Sequence, residues 1–303
     1  MKYREWLDEW LEYYVKPRAK FRTHEVYKQQ IVKHIGPMLG EYEMEELSAT
    51  TLQKFTVELI NSGLSANTVN GIINIISNSL QLAVSLGKAE KQYADLIQRP
   101  KKREKQVDCF TKDEQRKMER YILDNKKYHL YGIIVSLYTG LRIGELLALT
   151  WDDIDFKKSL ICITKTCRDS WKNGEYIKVI DSTKTECSER VIPIPKQLST
   201  VLKELYKQSN SNFVVSGRTR YGAQIRSYQR TFELFLKKIN ISHKGFHSLR
   251  HTFATRATEC GVDVKTLSEI LGHKNPSITL KRYAHSLFAH KIEMMNKVGK
   301  FLV

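Results

Sequence analysis

The chain has 303 residues, 41% of them hydrophobic, which suits about two domains and excludes wholesale disorder. Fifty Lys and Arg against 33 Asp and Glu give a formal net charge of +17, so the expected partner is a polyanion. Five cysteines in no CxxC pair exclude a disulfide framework and a zinc ribbon, and an amphipathic N-terminus with no run near 18 apolar residues predicts a soluble cytoplasmic protein without membrane association.

The first element is announced by "REWLDEWLEYY", in which Trp6, Trp10 and Tyr14, and Leu7 with Leu11, recur at i, i+4 as one face of a helix. "LSATTLQKFTVELINSG" reads as a helix capped near Ser48 and closed at Gly63, and "LSANTVNGIINIISNSLQLAVSLG" as another running from Ser65 to Gly87. With a segment around residues 24–39, residues 1–98 form a small bundle of four or five helices. That stretch holds 11 basic against 12 acidic residues. Residues 99–107 follow as a Pro-containing basic linker, "RPKKREKQ" in its core, which serves as a solvated tether or tracks a phosphate backbone through Lys101, Lys102 and Arg103.

Residues 108–303 form the second domain. Its first helix opens on a capping box, Thr111 to Glu114; a buried helix over 130–139 and a short one over 142–149 come next. Residues 159–166, 175–182 and 189–194 alternate or are β-branched around the turn-rich "SWKNGE" and predict a small antiparallel sheet. Helices are predicted over 196–208, 222–239, 247–260, 263–272, 276–284 and 286–299. From residue 106 onward there are 34 basic against 20 acidic residues, an excess that a long anionic ligand explains economically. The fold class is therefore mainly α with a small antiparallel β-sheet, in two domains.

Four stretches of the second domain carry chargeable side chains at element boundaries. "TGLRIGELLALTWDDID" puts Arg142 at a helix start with Glu145 one turn on. "DSTKTECSERVIPI" puts Lys184 in a turn before a strand. "GFHSLRHTFATRATECG" puts His247 and Arg250 at i and i+3, on one helical face, with His251 read as pointing elsewhere in a structural role. "LGHKNPSITLKRYAH" puts His273 after a helix that ends at Gly272, and Tyr283 ten residues on. Taken singly these are a surface charge, a hairpin tip, a helix cap and a core aromatic. Together they supply a metal-free phosphoryl transfer. Two arginines fork onto the non-bridging oxygens of a phosphodiester, a tyrosine hydroxyl attacks, a lysine protonates the departing oxygen, and histidines accept or donate a proton.

These same motifs, "TGLRIGELLAL", "TKTECSERVIPI", "HSLRHTFAT" and "LGHKNPSITLKRYAH", resemble the tyrosine recombinases of the phage-integrase family, in the family's order over residues 139–285. "GLSANTVNGIINIISNSL" is similar, more loosely, to the family's helical core-binding domain. The resemblance implies that Arg142 and Arg250 bind the scissile phosphate, Lys184 protonates the leaving 5′ oxygen, His247 is the general-base partner, His273 hydrogen-bonds the phosphate, and Tyr283 is the nucleophile that forms a 3′-phosphotyrosine. Glu145 resembles the acidic residue that orients the pocket from behind. No metal or cofactor is implied. The implied partners are double-stranded DNA and three further copies of the chain in a synaptic homotetramer, with room for an accessory excisionase or DNA-bending protein. The implied setting is bacterial and nucleoid-associated. Residues 166–176, "TCRDSWKNGEY", resemble an extra hairpin of mobile-element integrases. The N-terminus begins almost directly in the core-binding helices, so an arm-type DNA-binding domain is expected to be absent or removed. The last helix, with Leu287, Ile292, Met295 and Val298, is expected by family analogy to pack on a neighbouring protomer.

Other readings fit less well. His243, His247 and His251 have the spacing of a zinc site, but Gly245 interrupts them and no HExxH glutamate follows. Asp152, Asp153 and Asp155 suggest a two-metal nuclease, yet sit in a turn where Asp is ordinary. The alternative of another class is an integrase-like DNA-binding regulator that does not cut; "DVKTLSEILGH" has helix-turn-helix character.

Overall fold

The computed structural model describes residues 1–91, 93–101, 108–172, 175–182, 189–215, 222–273, 275, 277, 295–296 and 298–300. The chain divides into two units, Met1–Lys105 and Gln106–Val303. No helix of the described residues is long and apolar enough to cross a membrane.

In the first unit α1 (Tyr3–Trp10) continues into a π-helical turn, Leu11–Val15, and α2 (Phe21–Gln30) into a second, Ile31–Ile35. The i, i+4 stripe is the buried one: Trp6, Leu7, Trp10 and Leu11 all lie in the core, and Trp10 stacks on Tyr27 of α2 with ring centroids 5.8 Å apart. After the short α3 (Gly36–Leu39) come α4 (Ala49–Asn61) and α5 (Ala66–Ser85). Each of these two starts where its serine says it should, because Ser48 and Ser65 accept the backbone N–H of Thr51 and Thr68, both at 3.2 Å. The polar part of this core is closed by Tyr3, whose hydroxyl meets Ser79 Oγ at 2.7 Å.

The second unit begins with α6 (Lys112–Asp124), whose Thr111–Glu114 capping box forms in both directions. The next helix, α7 (Tyr131–Thr139), is buried on nearly every side. It stops at Gly140, which takes a left-handed conformation at φ 66° and lies so close to Phe253 that a Cβ would stand 2.5 Å from the ring. Only glycine satisfies both conditions, and the sharp stop delivers Arg142 to the start of α8 (Ile143–Ala148).

The strands depart from the single sheet expected. The first segment divides at Thr164 into β2 (Leu160–Ile163) and β3 (Lys165–Lys172). β2 lies between β1 (Ile154–Asp155) and β5 (Arg190–Pro193), while β3, among the described residues, pairs with β4 (Glu175–Ser182) in a separate sheet, in the register Cys167 to Ile180 and Asp169 to Lys178. Ser170, Trp171 and Lys172, read as part of a turn, extend β3 instead. Strand pairing across the hairpin overrides their weak turn preference. The remaining helices are α9 (Lys196–Gln208), α10 (Ile225–Lys238), α11 (His247–Glu259) and α12 (Val264–Leu271), within a few residues of the predicted bounds. The helices predicted over 276–284 and 286–299 fall almost wholly outside the described residues.

The long hairpin is fastened to the helices by side chains of its own. Asp169 caps α10, its two carboxylate oxygens accepting the N–H groups of Ile225 at 3.1 Å and Arg226 at 3.0 Å. Lys178 donates to the Leu147 carbonyl at 2.6 Å with its ammonium 3.9 Å from the centre of the Phe213 ring, and burial holds its pKa below the usual lysine value. Asp169→Ala is therefore expected to cost about 1 kcal/mol, as the loss of a helix cap does, read as a lower urea midpoint. Asp181→Ala, which removes only the half-exposed pair with Arg168, should cost less than about 0.5 kcal/mol.

Candidate active site

Four segments of the chain, around residues 140–145, 190, 250 and 270–273, meet at the C-terminus of α12. Like any helix end it carries carbonyls without intrahelical partners, and here three consecutive ones are each taken by a different arginine. Arg190 donates through Nε to Ile270 O at 2.6 Å, Arg250 through Nη2 to Leu271 O at 2.7 Å, and Arg142 through Nη2 to Gly272 O at 3.0 Å. Arg250 reaches back through Nη1 to Gly140 O at 2.8 Å, so the left-handed stop of α7 and the end of α12 are held by one guanidinium. Arg250 is only 2% exposed.

Glu145 ties two of the arginines together. It is 4% exposed. Its Oε1 accepts from Arg142 Nη1 at 2.7 Å and Arg190 Nη1 at 3.2 Å; its Oε2 accepts from Arg190 Nη2 at 2.8 Å and from the backbone N–H of Arg142 at 3.0 Å. Burial pushes the carboxyl up. The Arg190 hydrogen bond, the Arg190 and Arg142 charges and the Arg142 N–H more than offset that, leaving it below the usual carboxylate value. Arg142, with 38% of its side chain exposed, is the open edge of the cluster, whereas Arg190 has 7%.

The chain leaves α12 through Gly272, left-handed at φ 63°, where a Cβ would lie 3.0 Å from Arg190 Nη1. His273 follows at once. Its backbone N–H donates to Ser268 O at 3.0 Å, and Ser268 Oγ donates to its carbonyl at 3.4 Å, so its place is set by the helix end. His247 is exposed at the start of α11. Its ring meets that of His251 edge-on, 4.6 Å between centroids. The expectation that His251 points elsewhere is thus corrected: at i+4 it shares the face of His247.

The structure brings together Arg142, Glu145 and Arg250, with His273 directly following. Lys184, Tyr283, Lys102 and Arg103 lie outside the described residues, and Lys101 is described as exposed. Sequence reasoning missed Arg190. Its signal was present in "ERVIP", where period-2 alternation puts Arg190 on the same face as the buried Ile192, opposite the exposed Val191; an arginine on an inward face needs a partner. The nuclease candidates have other work: Asp153 accepts from Thr150 and pairs with Lys165 at 2.8 Å, and Asp155 caps the N–H groups of Lys157 and Lys158.

The chain as a whole is similar to known proteins. The model of the phage integrase family matches residues 89–290, and that of the phage integrase N-terminal SAM-like domain matches residues 2–60. The chain is similar to a XerC-like tyrosine recombinase of Caldanaerobacter subterraneus subsp. tengcongensis, 28% identical over 98% of this chain and 82% of the relative. It is similar to the transposase from transposon Tn916 of Enterococcus faecalis, 26% identical over 94% and 74%. Among solved structures it superposes on the Tn1549 transposon integrase in complex with a circular intermediate DNA, with a TM-score of 0.82, 22% identity, and coverage of 98% of this chain and 99% of that one.

Because the Glu145 carboxyl is depressed in the folded state, its contribution to stability is complete above its ordinary value of 4.5 and is lost as pH falls through the lower folded value. Glu145→Gln should be less stable than the parent by about 3 kcal/mol at neutral pH, the scale for breaking a buried ion pair. Urea unfolding at stepped pH should show that gap beginning to close below 4.5, where the unfolded chain takes up its proton, and closing further as the folded carboxyl is protonated at lower pH.

Proposed function

This chain belongs to the phage integrase family, as a site-specific tyrosine recombinase of the mobile-element type, and we propose that it breaks and rejoins duplex DNA through a bond made by Tyr283. The observation that carries this reading is the convergence of Arg142 and Arg250 on the end of α12, one residue from His273. A scissile phosphate set against the open edge of Arg142 meets a guanidinium whose direction is already fixed by Glu145 and Gly272.

In the proposed reaction the Tyr283 hydroxyl oxygen attacks phosphorus and its proton passes toward His247. The bond from phosphorus to the 5′ oxygen breaks, and that oxygen takes a proton from Lys184. The product is a 3′-phosphotyrosine and a free 5′-hydroxyl, and the same steps reversed onto another 5′-hydroxyl rejoin the strand. Because the phosphodiester is exchanged rather than hydrolysed, no external energy source is consumed. Arg142, Arg250 and His273 stabilise the charge that grows on the non-bridging oxygens.

Residues 1–98 serve in this reading as the core-binding domain, residues 99–107 as a basic linker, with Lys101, Lys102 and Arg103 against the phosphate backbone, and residues 108–303 as the catalytic domain. A homotetramer joins two DNA sites. The last helix, expected over 286–299 and almost wholly outside the described residues, would pack on a neighbouring copy; Met295 and Val298, which are described, are 68% and 48% exposed. An accessory excisionase or bending protein would set direction, and the setting is the bacterial cytoplasm, at the nucleoid.

A nicked suicide duplex carrying the cognate site should trap the protein in an adduct that survives boiling in SDS and is unaffected by EDTA. Tyr283→Phe should bind the same duplex with unchanged affinity and form no adduct. An adduct that persists in this variant would overturn the assignment of the nucleophile, and its absence from the parent would turn the reading toward a DNA-binding regulator.

A further inference from the structure

Arg190 has no part in the chemistry set out above, yet all three nitrogens of its guanidinium are engaged at the site. Its guanidinium touches both oxygens of Glu145, at 3.2 and 2.8 Å, and its Nε holds the Ile270 carbonyl at 2.6 Å. With 7% of its side chain exposed, it is shielded from a DNA strand. Its neighbours explain why an arginine is needed. Glu145 offers two in-plane oxygens, which a fork matches and an ammonium does not, and the Nε–H, on the other edge of the same plane, is left for the helix end.

These contacts make Arg190 a link between two groups that must move together. One is Arg142, whose Nη1 shares Glu145 Oε1 with Arg190. The other is the end of α12, which carries His273. Resting on the recombinase reading, we propose that Arg190 is a positioning residue for strand cleavage: by clamping Glu145 and the Ile270 carbonyl from strand β5, it presents Arg142 and His273 to the phosphate in one fixed relation. Gly272 is part of the same device, because a side chain there would press on the Arg190 guanidinium at 3.0 to 3.2 Å.

The test uses the full chain and a nicked suicide duplex, with DNA affinity and the rate of adduct formation at saturating protein measured separately. Arg190→Lys keeps a charge beside Glu145 and loses the fork. Binding should stay within about twofold, showing that the fold persists, while the saturated cleavage rate falls by about 100-fold, the scale of a misplacement near 1 Å. In a Glu145→Gln background, the same change should slow cleavage by no more than about threefold, because the path through Glu145 is already cut. A parent-like cleavage rate in Arg190→Lys would overturn the inference. So would equal loss of binding and rate, or a full 100-fold loss on top of Glu145→Gln, since each marks a role in general stability. Failure of the parent itself to form an adduct would overturn the recombinase reading and this inference with it; an adduct in the parent with unchanged Arg190→Lys kinetics overturns this inference alone.

Discussion

The second unit depends on how the last carbonyls of α12 are satisfied. A helix end carries roughly half a negative charge and acceptors that water would otherwise fill. Here Ile270, Leu271 and Gly272 give their carbonyl oxygens to Arg190, Arg250 and Arg142 in turn. A carbonyl directs a guanidinium without cancelling its charge. The two carbonyls that hold Arg250, Gly140 O and Leu271 O, are neutral, so these bonds fix the direction of the guanidinium without offsetting its charge. A carboxylate in either place would have neutralised it. Among the described residues the carboxylate of the cluster is Glu145, which stands behind Arg142, on the side shared with the buried Arg190.

Such a cluster is a poor device for stability alone. Removing guanidinium and carboxylate groups from water is costly, and buried ion pairs often gain nothing over apolar residues of the same volume. The rest of the unit is arranged to bear that cost. The buried helix α7 ends at the glycine whose carbonyl Arg250 needs, and α11, which packs on α7, carries Arg250 at its first turn. β5 brings Arg190 in register through its pairing with β2, Arg190 opposite Ile163. Each charged group arrives on an element fixed by apolar packing elsewhere, so forming the cluster orders side chains but no further backbone.

This explains which parts of the structure could be read from the sequence. Signals within a few residues were legible: the caps at Ser48, Ser65, Thr111 and Glu114, the i, i+4 stripe of Trp6 and Trp10, and the glycine stop at position 272. The family motifs likewise led to Arg142, Glu145, Arg250 and His273. What escaped depends on pairing between distant segments. The break at Thr164 is decided by which strand each half joins. The use of Asp169 as the cap of α10 joins residues 56 apart, and Arg190 meets Glu145 across 45 residues. Periodicity could show that Arg190 faces inward; it could not supply the partner. His251 was misjudged for a different reason, since attention to the i, i+3 pair of His247 and Arg250 hid the equally close i, i+4 neighbour.

The helix at the centre of the site is itself short. Eight residues are too few for a helix to be stable alone in water, so α12 relies on its ends. At the start, Asp263 accepts the Thr266 N–H at 2.9 Å, and the hydrogen bonds it receives hold its carboxyl below the usual range. At the finish stand three arginines. Negative charge at the N-terminus and positive charge at the C-terminus both oppose the helix dipole, and Leu267 and Leu271 bury one face between them. Arg142 and Arg250, which in the proposed reaction bind the phosphate, therefore also hold, together with Arg190, the helix end that His273 follows. In that reading the phosphate contacts and the position of that histidine cannot be altered independently, which makes the end of α12 a single structural unit rather than a set of separately placed side chains.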